Sequence, residues 1–133
     1  SNKDILSDLK DFIKRLDLVT GTIKRPDYSQ FHEGINRIIR IIKNENNFSS
    51  VNEAVFVNEQ EKALYNALKN TDSNADYNKL TEKLFEITPL ITEFFDKVLV
   101  NDNDENIKKN RFALLNCVKS QFDKIADFSK IVF

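Results

Sequence analysis

Apolar side chains at a helical period fill the stretch from Pro89 to Phe128, and this pattern limits the fold of the chain more than any other feature. A polar run at 101–104 divides the stretch, and Asp102 has a glutamate three residues on, which is the spacing of a capping box. Apolar residues at three- and four-residue steps share one face of a helix. Two helices joined by so short a run are expected to form an antiparallel hairpin. The two apolar faces comprise Ile91, Phe94, Phe95, Val98 and Leu99 before the run and Ile107, Leu114, Leu115, Val118, Phe122 and Ile125 after it.

The composition favours helices along the whole chain. Two glycines and two prolines in 133 residues, with 31% charged residues, are typical of helices joined by short connections rather than of a β fold. A chain of this length can form one domain with a substantial core. We therefore expect a single all-α bundle of about six helices over residues 1–133, ending in the hairpin. Ser1 and Asn2 resemble an expression-tag remnant, so the chain is expected to be a fragment of a longer one.

Local signals set the expected ends of the other helices. Gly21, within Thr-Gly-Thr, predicts the end of the first helix, because glycine commonly terminates helices. Asn58 with Glu61 predicts a capping box for the third helix, and Thr88 before Pro89 predicts a helix that begins there. The segments concerned are 4–18, 29–43, 58–70 and 77–86, and the first of them has an apolar stripe of Ile5, Leu9, Phe12, Ile13 and Leu16.

Few residues in the sequence are suited to catalysis. Acid–base or covalent chemistry needs a positioned base beside an activated group, and the only histidine, His32, has no such neighbour in its pattern. The sequence has neither a glycine-rich phosphate loop nor a cysteine–histidine zinc motif. Its single cysteine, Cys117, is expected to be a small buried residue in a reducing compartment. The isolated chain is therefore predicted to be non-catalytic, with no cofactor of its own, and no stretch is apolar for long enough to span a membrane.

Charged residues cluster in two places, although the formal net charge of −1 gives no overall basic signature. One cluster follows a single stripe of the second helix. The other opens the last helix, where free N–H groups and the helix dipole favour anions. Both are candidate RNA-binding surfaces. Their residues are Arg37, Arg40, Lys43 and Asn44 on the second helix and Lys108, Lys109, Asn110 and Arg111 on the last.

Each of these candidates has a structural alternative. Either cluster can be a solvated helix face, and Arg111 can instead pair with Asp104 or Asp96 and stabilise the hairpin. Two aromatic residues in polar loops, Tyr28 and Phe48, could stack on the bases of an unpaired RNA loop. The alternative for both aromatics is local packing of the loop against the bundle.

Five blocks of the sequence form an ordered set: residues 36–41, residues 61–68, the Phe-Phe-Asp and Val-x-Val steps within 94–100, the Asn-Arg-Phe-Ala-Leu-Leu run at 110–115, and residues 126–130. Taken in order, they resemble the C-terminal region of the β subunit of bacterial glycyl-tRNA synthetase. In the motif at 36–41, Arg37 matches that family, whereas Asn36 and Arg40 stand where the family usually has lysine and asparagine. Asn110 and Arg111 also match.

The resemblance implies the anticodon-binding domain of a cytoplasmic ligase assembled from α and β subunits. It implies that ATP, magnesium and glycine chemistry belong to the α subunit. The implied partners are the anticodon loop of tRNA(Gly), the rest of the β subunit and the α subunit, without a membrane. Two alternatives remain open: the related domain of arginyl-tRNA synthetases, and a helical protein-interaction module that binds no RNA. A small-ligand enzyme is a weaker third one.

Overall fold

The computed structural model describes residues 2–43, 45, 47–70 and 77–125, and these residues form an all-helical fold. Five α-helices and one 3₁₀ turn occur within the described ranges, and no β-strand is found there. The sequence-based estimate of about six helices is therefore one too many for this part of the chain. The elements are α1 (Asn2–Ile23), α2 (Tyr28–Ile42), the 3₁₀ turn (Glu53–Val55), α3 (Glu59–Lys69), α4 (Tyr77–Lys97) and α5 (Glu105–Asp123).

The core forms where α2 and α3 meet α4 and α5. Both α2 and α3 pack against each of the other two helices. Phe31 of α2 stacks on Phe85 of α4, with 4.3 Å between ring centroids, and lies 4.8 Å from Phe122 of α5. The predicted apolar face of α5 is confirmed, because Leu114, Leu115, Val118 and Phe122 are all buried. Helical periodicity therefore identified the buried side of this helix correctly.

The first helix is longer than expected, because α1 continues through Thr20, Gly21 and Thr22. The two threonine hydroxyls donate to carbonyl oxygens one turn back, Thr20 to Leu16 over 2.9 Å and Thr22 to Leu18 over 2.7 Å. No glycine has a positive φ, so Gly21 does not act as a left-handed cap. The helix ends instead just before Pro26, whose ring disfavours helical geometry in the preceding residue.

A continuous α4 replaces the two helices expected on either side of Pro89. Thr88 does not cap a new helix; its hydroxyl donates to the carbonyl of Leu84 over 3.0 Å. An interior proline costs a helix about 3 kcal/mol or more, because one backbone hydrogen bond is lost and the ring crowds the preceding turn. Burial of Ile87 and Ile91 on either side of the proline offsets this cost.

The antiparallel hairpin of α4 and α5 is not confirmed. Both helices take α2 and α3 as their main neighbours. The connection at 98–104 buries Val98 and Val100, so part of it packs against the core. The predicted cap is also wrong: Asp104, not Asp102, is the N-cap of α5, and its carboxylate accepts hydrogen bonds from the N–H groups of Asn106 and Ile107.

Two predictions about exposure are wrong and one about capping is right. Cys117 is exposed rather than buried, and the apolar stripe of α1 points to solvent instead of the core. The capping box of α3 is confirmed, because the Glu61 carboxylate accepts a hydrogen bond from the Asn58 N–H over 3.3 Å. Across the described ranges, no group of three or more His, Cys, Asp or Glu residues is placed to hold a metal ion. No helix in those ranges is long and apolar enough to cross a membrane.

Replacing Leu114 by alanine tests the core assignment of α5. Leu114 is fully buried, so Leu114→Ala is expected to lower the free energy of unfolding by about 2–5 kcal/mol. Chemical denaturation monitored by circular dichroism measures the change. Leu99→Ala is the matched control, because Leu99 is 66% exposed and its truncation removes no core packing. Equal effects of the two substitutions would contradict the assignment.

Candidate nucleic-acid interface

A cleft of about 350 Å³ is lined on one side by Glu45, Asn47, Phe48 and Ser49 and on the other by the start of α5. It brings together three of the residues selected from the sequence, the aromatic Phe48 and the cations Lys108 and Lys109. Phe48 is half-buried, with part of its ring packed against the core. Lys108 lies above the ring of Phe112, with 5.8 Å between the ammonium nitrogen and the ring centroid. Lys109 is exposed.

The charges lining this cleft are mixed. Glu45 and Glu105 lie in the same lining as Lys108 and Lys109. Two of the first N–H groups of α5, those of Asn106 and Ile107, donate to the Asp104 carboxylate. Anion binding at this helix end therefore depends mainly on the lysine side chains. An aromatic ring beside both cations and carboxylates suits recognition of an unpaired base, which presents a flat face and polar edges.

Asn110 is buried and holds the loop that forms one wall of the cleft. Its amide oxygen accepts a hydrogen bond from the Asn52 N–H over 2.7 Å, and its amide nitrogen donates to the Asn52 carbonyl oxygen over 3.0 Å. Asn110 therefore satisfies both backbone groups of one loop residue and fixes the loop to α5. The prediction that Asn110 is an RNA-binding residue is corrected, because its polar atoms face the protein.

Arg111 is also buried, with 3% of its surface exposed. Its Nε and Nη2 atoms donate to Glu61 Oε1 over 3.2 and 2.9 Å. Its Nη1 atom donates to the carbonyl oxygen of Leu99 and to Asp102 Oδ2, the latter over 3.3 Å. Arg111 is thus a structural residue and not an RNA-binding one. The predicted alternative of an ion pair was right in kind, but the partners are Glu61 and Asp102 rather than Asp104 or Asp96.

The cations of α2 are exposed. Within the described part of the chain, Arg40 and Lys43 make no hydrogen bond or ion pair, so both are available to a phosphate. Lys43 is the C-cap of α2 and directly precedes the loop that carries Phe48. Arg37 differs, because its guanidinium lies 4.5 Å above the ring of Phe95 in the groove between α2 and α4. The fourth candidate on this stripe, Asn44, lies outside the described residues.

Tyr28 is not a loop aromatic. It is the first residue of α2, it is completely buried, and its ring lies 5.8 Å from that of Phe31 and 5.6 Å from that of His32. Burial raises the pKa of its hydroxyl above the usual value. Tyr28 therefore belongs to the core and cannot stack on a base without unfolding this corner. Of the two predicted aromatics, only Phe48 has a surface available for a ligand.

The sequence reasoning missed the part played by Glu61 and Asn52. Glu61 was identified only as a capping residue, although it also carries the ion pair with Arg111, which lies 50 residues further along the chain. Asn52 was not identified at all, although its side chain caps the 3₁₀ turn and its backbone forms hydrogen bonds with the Asn110 side chain. The sequence contains a capping-box signal at Glu61, but no local pattern indicates an ion pair between residues 50 positions apart.

Comparisons with known proteins identify similar sequences. A sequence model of the DALR anticodon binding domain matches residues 31–131. The chain is 33% identical to a glycine–tRNA ligase β subunit of Thermodesulfovibrio yellowstonii, over 96% of the chain and 21% of that protein. It is 34% identical to the protein of that name from Streptococcus agalactiae, over 80% of the chain and 16% of the relative. The chain thus spans about a fifth or less of the length of these relatives.

A paired substitution tests the structural role of Arg111. Arg111→Met leaves the buried Glu61 carboxylate without its cation, so the free energy of unfolding is expected to fall by about 3–5 kcal/mol. Adding Glu61→Gln removes the uncompensated charge and should restore part of that loss. Arg40→Met is the control, because Arg40 is exposed. Denaturant titration measures the free energy of unfolding of the unsubstituted chain, of Arg111→Met and Glu61→Gln separately, of the double variant, and of the control.

A different ranking would contradict the structural assignment. If Arg111→Met and Arg40→Met had the same small effect on stability, Arg111 would not be held in a buried ion pair. The effects of Arg111→Met and Glu61→Gln on the free energy of unfolding could also simply add in the double variant. Additive effects would show that the two residues are not coupled.

Proposed function

Because the chain belongs to the DALR anticodon binding domain family, we propose that it binds the anticodon loop of tRNA(Gly) as a domain of a glycine–tRNA ligase β subunit. The family match covers residues 31–131, a range that includes most of α2, all of α3 to α5 and the cleft. The relatives named glycine–tRNA ligase β subunit favour this assignment over the arginyl-tRNA synthetase alternative. The activity of the complete ligase extends beyond this chain, since the relatives are several times longer.

The cleft beside Phe48 is the observation that carries the proposal. Sequence-specific RNA recognition usually targets unpaired loops, whose bases stack on aromatic rings and are read at their edges. Phe48 offers the ring, and Lys108 and Lys109 offer cations at the same opening. Arg40 and Lys43 lie on the helix that leads into this loop and would contact neighbouring phosphates. Both kinds of contact would be needed to hold one anticodon loop.

The domain would act by positioning and not by chemistry. Holding one end of the tRNA orients the distant acceptor end toward a reaction centre, which lowers the entropic cost of the reaction. ATP, magnesium and glycine would bind in the α subunit of the same cytoplasmic assembly. The residues of this chain would then contribute affinity and orientation, while the remainder of the β subunit links them to that centre.

A protein-interaction module is the second candidate function. The net charge of −1 and the exposed apolar stripe of α1 favour it. The two functions are separable by salt, because binding to phosphates weakens steeply as the salt concentration rises. They are also compatible, since the cleft and the stripe lie on different elements.

Substitutions in the cleft test the proposed RNA site. Phe48→Ala should weaken binding to a tRNA(Gly) anticodon stem-loop by about 1–3 kcal/mol, because a stacking surface is lost. Lys108→Ala combined with Lys109→Ala should reduce the slope of log affinity against log salt by roughly 1.4, about 0.7 per lost contact to a single strand. Fluorescence anisotropy at several salt concentrations measures both effects. Lys62→Ala, an exposed cation on α3, is the matched control.

The exposed arginines of α2 belong in the same titration. Arg37→Ala and Arg40→Ala are each expected to weaken binding while leaving the melting temperature nearly unchanged, because both side chains are exposed. If the cleft variants bound the stem-loop as tightly as the unsubstituted chain and the Lys62→Ala control do, the proposed site would be refuted. A lower melting temperature with unchanged affinity would show that an arginine is structural.

A further inference from the structure

The stripe of α1 is the largest exposed apolar feature in the described part of the chain. Its six residues are each 47–66% exposed, and on an ideal helix they fall within about 120° of one face. Together they expose on the order of 600 Å², the upper end of the largest patch on a typical monomer. Such a patch marks an interaction surface. The residues are Ile5, Leu6, Leu9, Phe12, Ile13 and Leu16.

A different face of α1 attaches the helix to the bundle. The Tyr77 hydroxyl of α4 donates to Asp11 Oδ1 over 2.9 Å, and Arg15 pairs with Asp11 over 3.0 Å. Leu18 packs against the core. At about 100° per residue, Asp11 and Leu18 lie roughly opposite Leu9. The stripe therefore points away from α4, and α1 is held in place without using its most apolar face.

The charges of α1 argue against RNA and against a membrane as the occupant of the stripe. Between Ile5 and Ile23 three cations are balanced by three carboxylates. RNA binding needs an excess of cations to neutralise phosphates, and helices that lie on anionic membranes are rich in lysine and arginine on the polar face. The residues are Lys10, Lys14 and Arg15 against Asp8, Asp11 and Asp17.

The width of the stripe indicates that its partner is a broad protein surface rather than a single helix. A two-helix coiled coil needs only a narrow seam of two apolar positions per seven, whereas helices that pack on a globular core carry a wider stripe of about 100° or more. The stripe of α1 is of the second kind. Its area is also in the range that one domain buries against another within a chain.

The comparisons indicate where that surface would come from. The family match begins at residue 31 and does not include α1. The match to the β subunit of Thermodesulfovibrio yellowstonii covers 96% of the chain, so it does include most of α1. That relative is also several times longer than this chain. Helix α1 thus lies outside the anticodon-binding unit but within the similarity to the longer subunits.

We propose that the α1 stripe docks the anticodon-binding unit onto an apolar surface elsewhere in the same β subunit. This inference rests on the proposed function, because it takes the chain to be part of such a subunit. Docking through α1 would leave the cleft beside Phe48 free for RNA. It would also fix the direction in which the cleft faces relative to the remainder of the ligase.

Cysteine labelling tests the docking without any RNA. Leu9→Cys places a thiol in the centre of the stripe, and Lys14→Cys places one on an exposed position outside it. Both are made with Cys117→Ser, because Cys117 is itself exposed. In the 133-residue chain the two thiols should react with a maleimide at similar rates. In a full-length β subunit that carries this sequence, the thiol at position 9 should react at least about tenfold more slowly than it does in the 133-residue chain. The thiol at position 14 should react at the same rate in both.

Three results would overturn the proposal. Equal labelling of both positions in the full-length subunit would show that the stripe is uncovered. Protection at position 9 already present in the 133-residue chain would mean that a second copy or a segment of this chain covers the stripe, according to whether protection rises with concentration. Protection that requires added tRNA would place RNA there. None of these readouts depends on anticodon binding, so failure of the proposed function leaves the labelling result interpretable.

Charge insertion gives a second, independent readout. Leu9→Asp combined with Ile13→Asp should leave the melting temperature of the 133-residue chain unchanged, because both side chains are exposed there. The same pair of substitutions should lower the melting temperature of the full-length subunit. Equal melting temperatures of the substituted and unsubstituted full-length subunits would overturn the proposal.

Discussion

The buried ion pair between Arg111 and Glu61 is the interaction on which the rest of this structure depends. One guanidinium joins the start of α3 to α5 and to the connection after α4, through Glu61, the Leu99 carbonyl and Asp102. Removing two charges from water costs several kcal/mol for each ion, and hydrogen bonds to the charged groups repay part of this cost. Arg111 makes four such bonds, whereas Glu61 Oε2 is buried without a partner in the described part of the chain. The adjacent residue, Asn110, fixes the loop at Asn52. Two consecutive residues of α5 therefore set the packing of α3 and the shape of the cleft.

This arrangement separates residues that build the site from residues that face a ligand. Asn110 and Arg111 are polar and match the glycyl-tRNA synthetase β-subunit pattern at the sequence level, yet both are buried and their polar atoms bond to protein groups. Lys108 and Lys109 precede them by two positions and face the cleft. One turn of helix thus has a structural side and a solvent side. The cleft offers a partner an aromatic ring, two lysines and two carboxylates, which are groups that can bind a polar, flat ligand.

Periodicity predicted the helices and the buried face of α5, because a helix must bury its apolar side whatever it packs against. Local breakers were less reliable. Gly21 and Pro89 both lie inside helices, because the burial of neighbours such as Thr22, Ile87 and Ile91 offsets the local cost of these residues. Site residues were the least predictable. Tyr28 and Arg111 are buried by segments that are distant from them in the chain. The residues next to each of them in the sequence therefore do not indicate whether its side chain faces solvent.

The two surfaces of the chain have different physical character. The cleft is polar, aromatic and partly cationic, and it lies within the family match. The α1 stripe is apolar and flanked by balanced charges, and it lies outside that match. An RNA on the first surface and a protein on the second would not compete. Under the two proposals, such a domain would hold an anticodon loop while the rest of the β subunit fixes its orientation.

Backbone amide shifts of the ¹⁵N-labelled chain, recorded while a tRNA(Gly) anticodon stem-loop is added, would test the central claim most directly. The account predicts shifts that cluster at the loop of 45–49, at Lys108 and Lys109, and along the exposed side of α2, with the stripe of α1 unaffected. A matched stem-loop with exchanged anticodon bases should produce smaller shifts at Phe48. Shifts confined to α1, or equal responses at Phe48 to both stem-loops, would contradict the assignment of the cleft as the anticodon site.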